Sequence, residues 1–87
     1  MREIVVMGYS GCGYFESAKR LALKYEKEKK IDKASILEYD YGEWKRQLAI
    51  KNGELSTSHG TSPYVYEVNN SKKRFIGGFD NFASLSI

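Results

Sequence analysis

Cysteine, proline and histidine each occur once in these 87 residues, as Cys12, Pro63 and His59. One cysteine excludes a disulfide within the chain and a metal site built from clustered cysteines. It fits a reducing compartment, so a cytoplasmic protein is expected. No secretory leader is recognisable and no apolar run is long enough to cross a bilayer, so no membrane association is expected. Proline and glycine are too sparse for a disordered chain. There is no repeat, linker or low-complexity segment. Residues 1–87 are therefore expected to form a single domain with one core. His59 lies in a polar stretch far in sequence from Cys12, and no role as base or metal ligand is assigned to it.

Hydrophobic residues make up 41% of the chain, with seven tyrosines, four phenylalanines and one tryptophan, which favours an aromatic-rich core. The net charge is +3. Much of the positive charge falls between Lys19 and Lys33, where helical spacing puts Lys19, Arg20, Lys24 and Lys27 on a solvated face. No aromatics are interleaved with basic residues as in a nucleic-acid surface, so no nucleic acid is expected as partner. The positive bias favours small anionic ligands instead.

The stretch that organises the chain is Ser10-Gly11-Cys12-Gly13-Tyr14-Phe15. Before it runs Ile4-Val5-Val6-Met7, a β-branched apolar segment that predicts a buried strand over Glu3–Met7. After it, Phe15, Ala18, Ala22 and Tyr25 recur at helical spacing. Cys12 is thus expected where a strand ends and a helix begins. The first turn of a helix carries unpartnered N–H groups and the positive end of the dipole. A thiolate there is favoured over the thiol, and the thiolate is the nucleophile. Gly11 and Gly13 leave the backbone beside Cys12 uncovered, which suits close approach by a ligand.

The rest of the chain reads as alternating elements. A turn over Gly8–Gly11 leads to a helix from about Gly13 to Glu28. Glu16 and Arg20 are spaced to pair on it, and Lys27, Lys29 and Lys30 favour its C-terminus. A strand is expected over Ala34–Tyr39. A second helix is expected over Gly42–Asn52, with Trp44 and Leu48 on one face and Gly53 as its stop. A polar loop follows. Pro63 opens a strand over Tyr64–Val68, and Asn69-Asn70-Ser71 turn it back into Lys73–Ile76 as a hairpin. Gly77-Gly78 end the hairpin, and Asp80 or Asn81 is expected to cap a short last helix.

Three separated motifs resemble the glutaredoxins of the thioredoxin-fold superfamily. They are Gly8-Tyr9-Ser10-Gly11-Cys12-Gly13-Tyr14 followed by Ala18-Lys19, then Thr61-Ser62-Pro63, then Ile76-Gly77-Gly78-Phe79-Asp80. The element order β-α-β-α-β-β-α agrees. The resemblance implies an α/β thioredoxin-like fold: a four-stranded mixed sheet in order 2-1-3-4 with helices on both faces. It implies Cys12 as the catalytic nucleophile and Pro63 as a cis proline. It further implies a glutathione site made of Tyr14, Ser62, Pro63, Gly78, Asp80 and Asn81. In that site Tyr14 flanks the sulfur, and the Ser62 backbone pairs with the cysteinyl part. Gly78, Asp80 and Asn81 hold the γ-glutamyl end.

The chain departs from the dithiol members of that family at three positions. Phe15 stands where they have a second cysteine, so the disulfide within the motif cannot form. Gly13 replaces their proline. Tyr9 replaces a basic residue that contacts the glycine carboxylate of glutathione; Lys19, Lys45, Arg46 and Lys51 are candidates to substitute. The expected activity is therefore that of a monothiol glutaredoxin-like enzyme. It would reduce glutathione mixed disulfides as a monomer, with glutathione as co-substrate and glutathionylated thiols as partners. Two alternatives stay open. One is a [2Fe–2S] carrier in which two chains each offer Cys12 and two glutathiones complete the ligands, although Phe15 would be bulky beside that site. The other is a glutathione- or protein-binding module without catalysis.

Overall fold

The computed structural model describes residues 1–87 as β1 (Arg2–Tyr9), α1 (Gly13–Lys27), β2 (Lys33–Tyr39), α2 (Tyr41–Leu55), β3 (Tyr64–Asn69), β4 (Lys72–Gly77) and α3 (Phe79–Ala83). The four strands form one mixed sheet in the order β2-β1-β3-β4. β1 runs parallel to β2 and antiparallel to β3, and β4 runs antiparallel to β3. This is the α/β architecture and strand order expected from the sequence.

Successive side chains of a strand point to opposite faces, and β1 uses both. Ile4 and Val6 join Phe15, Ala18 and Ala22 of α1 with Val65, Ile31 and Phe82 in one buried cluster. Val5 and Met7 join Trp44 of α2 with Tyr64 and Tyr66 on the other face. A strand apolar on both faces is what a central position covered on both sides requires. The outer strands are less buried: no residue of β2 is fully buried, and β4 begins with three exposed cations, Lys72, Lys73 and Arg74.

Several boundaries move from those expected. Gly8 and Tyr9 complete β1 opposite Glu38 and Tyr39, so the turn is shorter than Gly8–Gly11. Gly8 tolerates this because the Phe15 ring packs directly on its Cα; a Cβ there would lie 2.2 Å from the ring. α1 stops at Lys27 rather than Glu28. Lys29 adopts a left-handed conformation and Lys30 N–H returns to the Tyr25 carbonyl at 2.9 Å. These residues close the helix from outside it, as a Schellman-type turn. Glu16 does not pair with Arg20. Its carboxylate lies 3.8 Å from Lys19, and Arg20 Nε donates to its backbone carbonyl instead.

Gly53 does not stop α2, which continues to Leu55, where Ser56 takes the left-handed conformation. Asp40 caps the start of α2 by accepting from Glu43 N–H at 2.8 Å. The last helix begins one residue before Asp80. Gly78 holds its N-cap position, and the Asn81 side chain accepts from Gly78 N–H at 3.4 Å. Neither Asp80 nor Asn81 is itself the cap residue. A glycine is required just before this, at Gly77, where φ is +134° and a Cβ would fall 2.6 Å from Asn81 Oδ1. A register irregularity opposite Val65 and Tyr66 accompanies that bend and turns the chain from β4 into α3. No helix is long and apolar enough to cross a membrane.

Candidate functional site

Cys12 occupies the N-cap position of α1, with extended backbone, and its carbonyl accepts the first helical bond from Glu16 N–H at 3.1 Å. Gly11 precedes it at φ +91°, a conformation that costs glycine little. This turn delivers the cysteine from the end of the central strand to the start of the helix, partly exposed. The Cys12 thiol donates to the Ser62 carbonyl oxygen at 3.7 Å, 50 residues away in the chain. Ser62 is joined to Pro63 by a cis peptide bond, and Pro63 is buried.

A cavity of about 380 Å³ opens beside this pair. Tyr14, Ser62, Pro63, Gly78, Asp80 and Asn81 all line it, so all six residues assigned to a glutathione site face one space. Cys12 stands next to the cavity through its contact with Ser62 rather than in its wall. Tyr14 is 66% exposed, and its ring lies 6.4 Å from that of Phe79. Gly78 faces the cavity with room for a methyl group against His59 Cε1 at 3.5 Å. The Ser62 hydroxyl is buried without a hydrogen-bond partner.

His59, Thr61 and Phe79 complete the lining. The sequence assigns His59 no role as base or metal ligand, and the structure brings its side chain into the site. Its Nε2 lies 3.0 Å from the Pro63 carbonyl and 3.2 Å from Thr61 Oγ1. A carbonyl only accepts, so Nε2 carries the proton and donates to Pro63. The ring packs on Tyr64 and Phe75, with centroids 5.7 and 5.4 Å apart. Asn52 of α2 fixes the loop behind it: Nδ2 donates to the His59 carbonyl at 2.7 Å and Oδ1 accepts from His59 N–H at 3.2 Å.

Beyond Cys12 on the other side lies a second aromatic group. Tyr9 meets Tyr41 edge-on at 5.1 Å and Trp44 at 6.2 Å. The charge of the adjacent Cys12 sulfur raises the Tyr9 phenol pKa above its ordinary value, and desolvation adds to that. Among the four cations considered as partners for a carboxylate, three are engaged. Lys19 lies 3.8 and 3.9 Å from Glu16 and Glu38. Arg46 lies 3.7 Å from Glu43, and Lys51 lies 3.2 Å from Glu54. Lys45 has no carboxylate partner; its ammonium sits 4.9 Å above the Tyr41 ring. The Phe15 side chain is fully buried, continuing the helical stripe of Ala18 and Ala22 into the core, and Cys12 packs against that same cluster.

A central strand carrying a cysteine into a helix, opposite a cis proline, in a sheet of order 2-1-3-4, makes up the thioredoxin-like fold expected from the sequence. The chain is similar in structure to glutaredoxin 1 from Francisella tularensis, solved as a complex with cacodylate. The TM-score is 0.66 at 18% sequence identity, over 97% of this chain and 91% of that one. No family model and no curated protein matches the sequence.

Proposed function

We propose that the protein is a glutathione-dependent thiol–disulfide oxidoreductase that works with one cysteine. The observation that carries this reading is the placement of the Cys12 sulfur 3.7 Å from the Ser62 carbonyl, beside a cavity lined by the other six assigned residues. A peptide-like thiol lying in that cavity meets backbone at Ser62, a carboxylate at Asp80 and the exposed ring of Tyr14.

The Cys12 thiolate attacks the glutathione sulfur of a mixed disulfide. The sulfur–sulfur bond breaks, and the other thiol leaves as its thiolate. Cys12 then carries glutathione. A second glutathione, as thiolate, attacks the sulfur of the bound glutathione and leaves as oxidised glutathione, regenerating the Cys12 thiolate. An external thiol performs the second step, so no second cysteine is needed. Asp80 receives the ligand's ammonium group, Gly78 and Asn81 hold the rest of the γ-glutamyl end, and Ser62 pairs with the cysteinyl backbone. Lys45, the cation without a carboxylate partner, receives the glycine carboxylate. The protein acts as a monomer in the reducing cytoplasm on glutathionylated thiols.

Intact-mass measurement tests the reading directly. Mixed with oxidised glutathione, the protein gains one glutathione on Cys12, and reduced glutathione removes it. Cys12→Ser gains none. Absence of an adduct on the wild-type protein overturns the proposal. The partial exposure of Cys12 also meets what the [2Fe–2S] alternative requires. A single chain offers one thiolate, so two chains and two glutathiones would have to supply the cluster's four ligands. Visible absorbance of protein purified without oxygen separates that alternative from the proposed function.

A further inference from the structure

A second depression of about 390 Å³ runs along the outside of α1, between it and α3. Its floor is apolar, made by Leu21, Phe79 and Ala83, and Ser17, Arg20 and Lys24 stand along its α1 side. Leu21 and Phe79 pack on the core from above but remain partly exposed. Phe79 borders both this groove and the cavity beside Cys12. Neither Arg20 nor Lys24 has a carboxylate partner; Arg20 makes only the bond to the Glu16 carbonyl. Two free cations therefore rim an apolar floor that leads away from the reactive sulfur.

We infer that this groove binds the polypeptide flanking the modified cysteine of a protein substrate, and that it selects an apolar residue next to Asp or Glu. The inference rests on the proposed thiol exchange at Cys12. Charge complementarity sets the acidic residue, and the floor of Leu21 and Phe79 sets the apolar one. Helix geometry sets the distance. Leu21 is nine positions beyond Cys12, about 13 Å along α1. An extended chain covers that distance in about four residues. The preferred substrate thus carries its apolar–acidic pair about four residues from the glutathionylated cysteine.

Three glutathionylated peptides test this, carrying Leu-Glu, Leu-Lys or Gly-Glu four residues to either side of the cysteine. Turnover is compared with that of the cysteamine–glutathione mixed disulfide, which is too small to reach the groove. Binding is measured separately by fluorescence anisotropy, with serine replacing the peptide cysteine. The wild-type protein should prefer Leu-Glu over each of the others by about five- to tenfold in both readouts, the size of one or two modest surface contacts. Arg20→Glu with Lys24→Glu should shift the preference to Leu-Lys and leave cysteamine–glutathione turnover unchanged. If that variant does not fold, Arg20→Gln with Lys24→Gln should abolish the preference instead. Equal constants for the three peptides overturn the inference, as does equal binding of Gly-Glu and Leu-Glu, which would reduce the groove to solvated charge. Failure to turn over cysteamine–glutathione overturns the function at Cys12, while the anisotropy data still decide whether the groove selects its peptide.

Discussion

Gly8 and Phe15 fit against each other with no space for one more carbon: a Cβ on Gly8 would lie 2.2 Å from Phe15 Cδ1. The ring cannot retreat, because it is fully buried among Ile4, Val6 and Ala18. The contact locks the last part of β1 to the first turn of α1, and Cys12 sits on the connection between them. Gly8→Ala should lower stability by about 1–3 kcal/mol through overpacking. Gly53→Ala is the natural control, since Gly53 is helical with nothing within 4 Å of a Cβ. That change should raise stability by about 0.5–1 kcal/mol. Urea denaturation of both variants checks the pair, and a neutral Gly8→Ala would contradict the packing described.

Tyr9 reports the charge on its neighbour. Its phenol pKa is raised first of all by Cys12. Cys12→Ser removes that charge, so Tyr9 should ionise at lower pH in the variant, closer to an ordinary tyrosine. The Tyr9 ring carbon resonance followed by NMR through the alkaline range shows the shift. An unchanged titration would mean that the two side chains do not face each other.

Glu67 should govern the acid stability of the sheet. Burial pushes its carboxyl pKa up, but hydrogen bonds from Arg2 and Arg74 outweigh this and hold it below the usual carboxylate value. One oxygen accepts from Arg2 Nε and the other from Arg74 Nη2 at 3.0 Å. A carboxyl with a lowered folded pKa stabilises the fold at pH above its ordinary 4.5 and loses that contribution as pH falls through the folded value. Glu67→Gln should cost about 1–3 kcal/mol at neutral pH. It should also flatten the decline of stability below pH 4.5. Chemical denaturation at pH 7 and pH 3 reads both effects, and an equal decline in variant and wild type would remove Glu67 from that role.

Asp80 is expected to act on binding rather than on chemistry. It lines the cavity, where it is proposed to receive the ligand's ammonium group. Asp80→Asn should raise KM for glutathione by about tenfold, the value of one charge-assisted hydrogen bond, with kcat little changed. A fall in kcat at constant KM would place Asp80 elsewhere in the mechanism.

Phe15→Cys should supply the missing resolving thiol. Residue 15 lies three positions after Cys12, in the first turn of α1, and Cα atoms so spaced fall within disulfide range. Emptying the buried ring site costs about 2–5 kcal/mol. The folded variant should reduce a protein disulfide with glutathione as electron donor, which the wild type should do poorly. A folded variant that gains nothing shows that position 15 does not reach the sulfur.

Local features of the chain were legible wherever their causes were local. The strand before Cys12, the helical stripe of Phe15, Ala18 and Ala22, and the Asn-Asn-Ser turn all follow from neighbours a few residues apart. Gly53 misled because a glycine only permits a helix to end; α2 continues until Ser56, where the left-handed turn occurs. His59 was unreadable for the opposite reason. Its surroundings, Pro63, Tyr64, Phe75 and Gly78, come from the loop, two strands and the residue before α3. The buried Glu67 was equally hidden, because Arg2 lies 65 residues away and an acid within a hairpin strand gives no sign of facing inward.

Both outer strands of the sheet leave one row of backbone hydrogen-bonding groups unpaired, because β2 and β4 each have a single neighbour. Such rows invite a second copy to extend the sheet. Here β2 opens with exposed Lys33, and β4 opens with exposed Lys72, Lys73 and Arg74. Charged side chains on an edge disfavour its pairing with another copy, and between exposed groups that effect weakens as salt shortens the Debye length. Any protection that Lys33, Lys72, Lys73 and Arg74 give the sheet edges should therefore depend on the buffer as much as on the fold, strongest in dilute salt and weakest where ions crowd the strand edge.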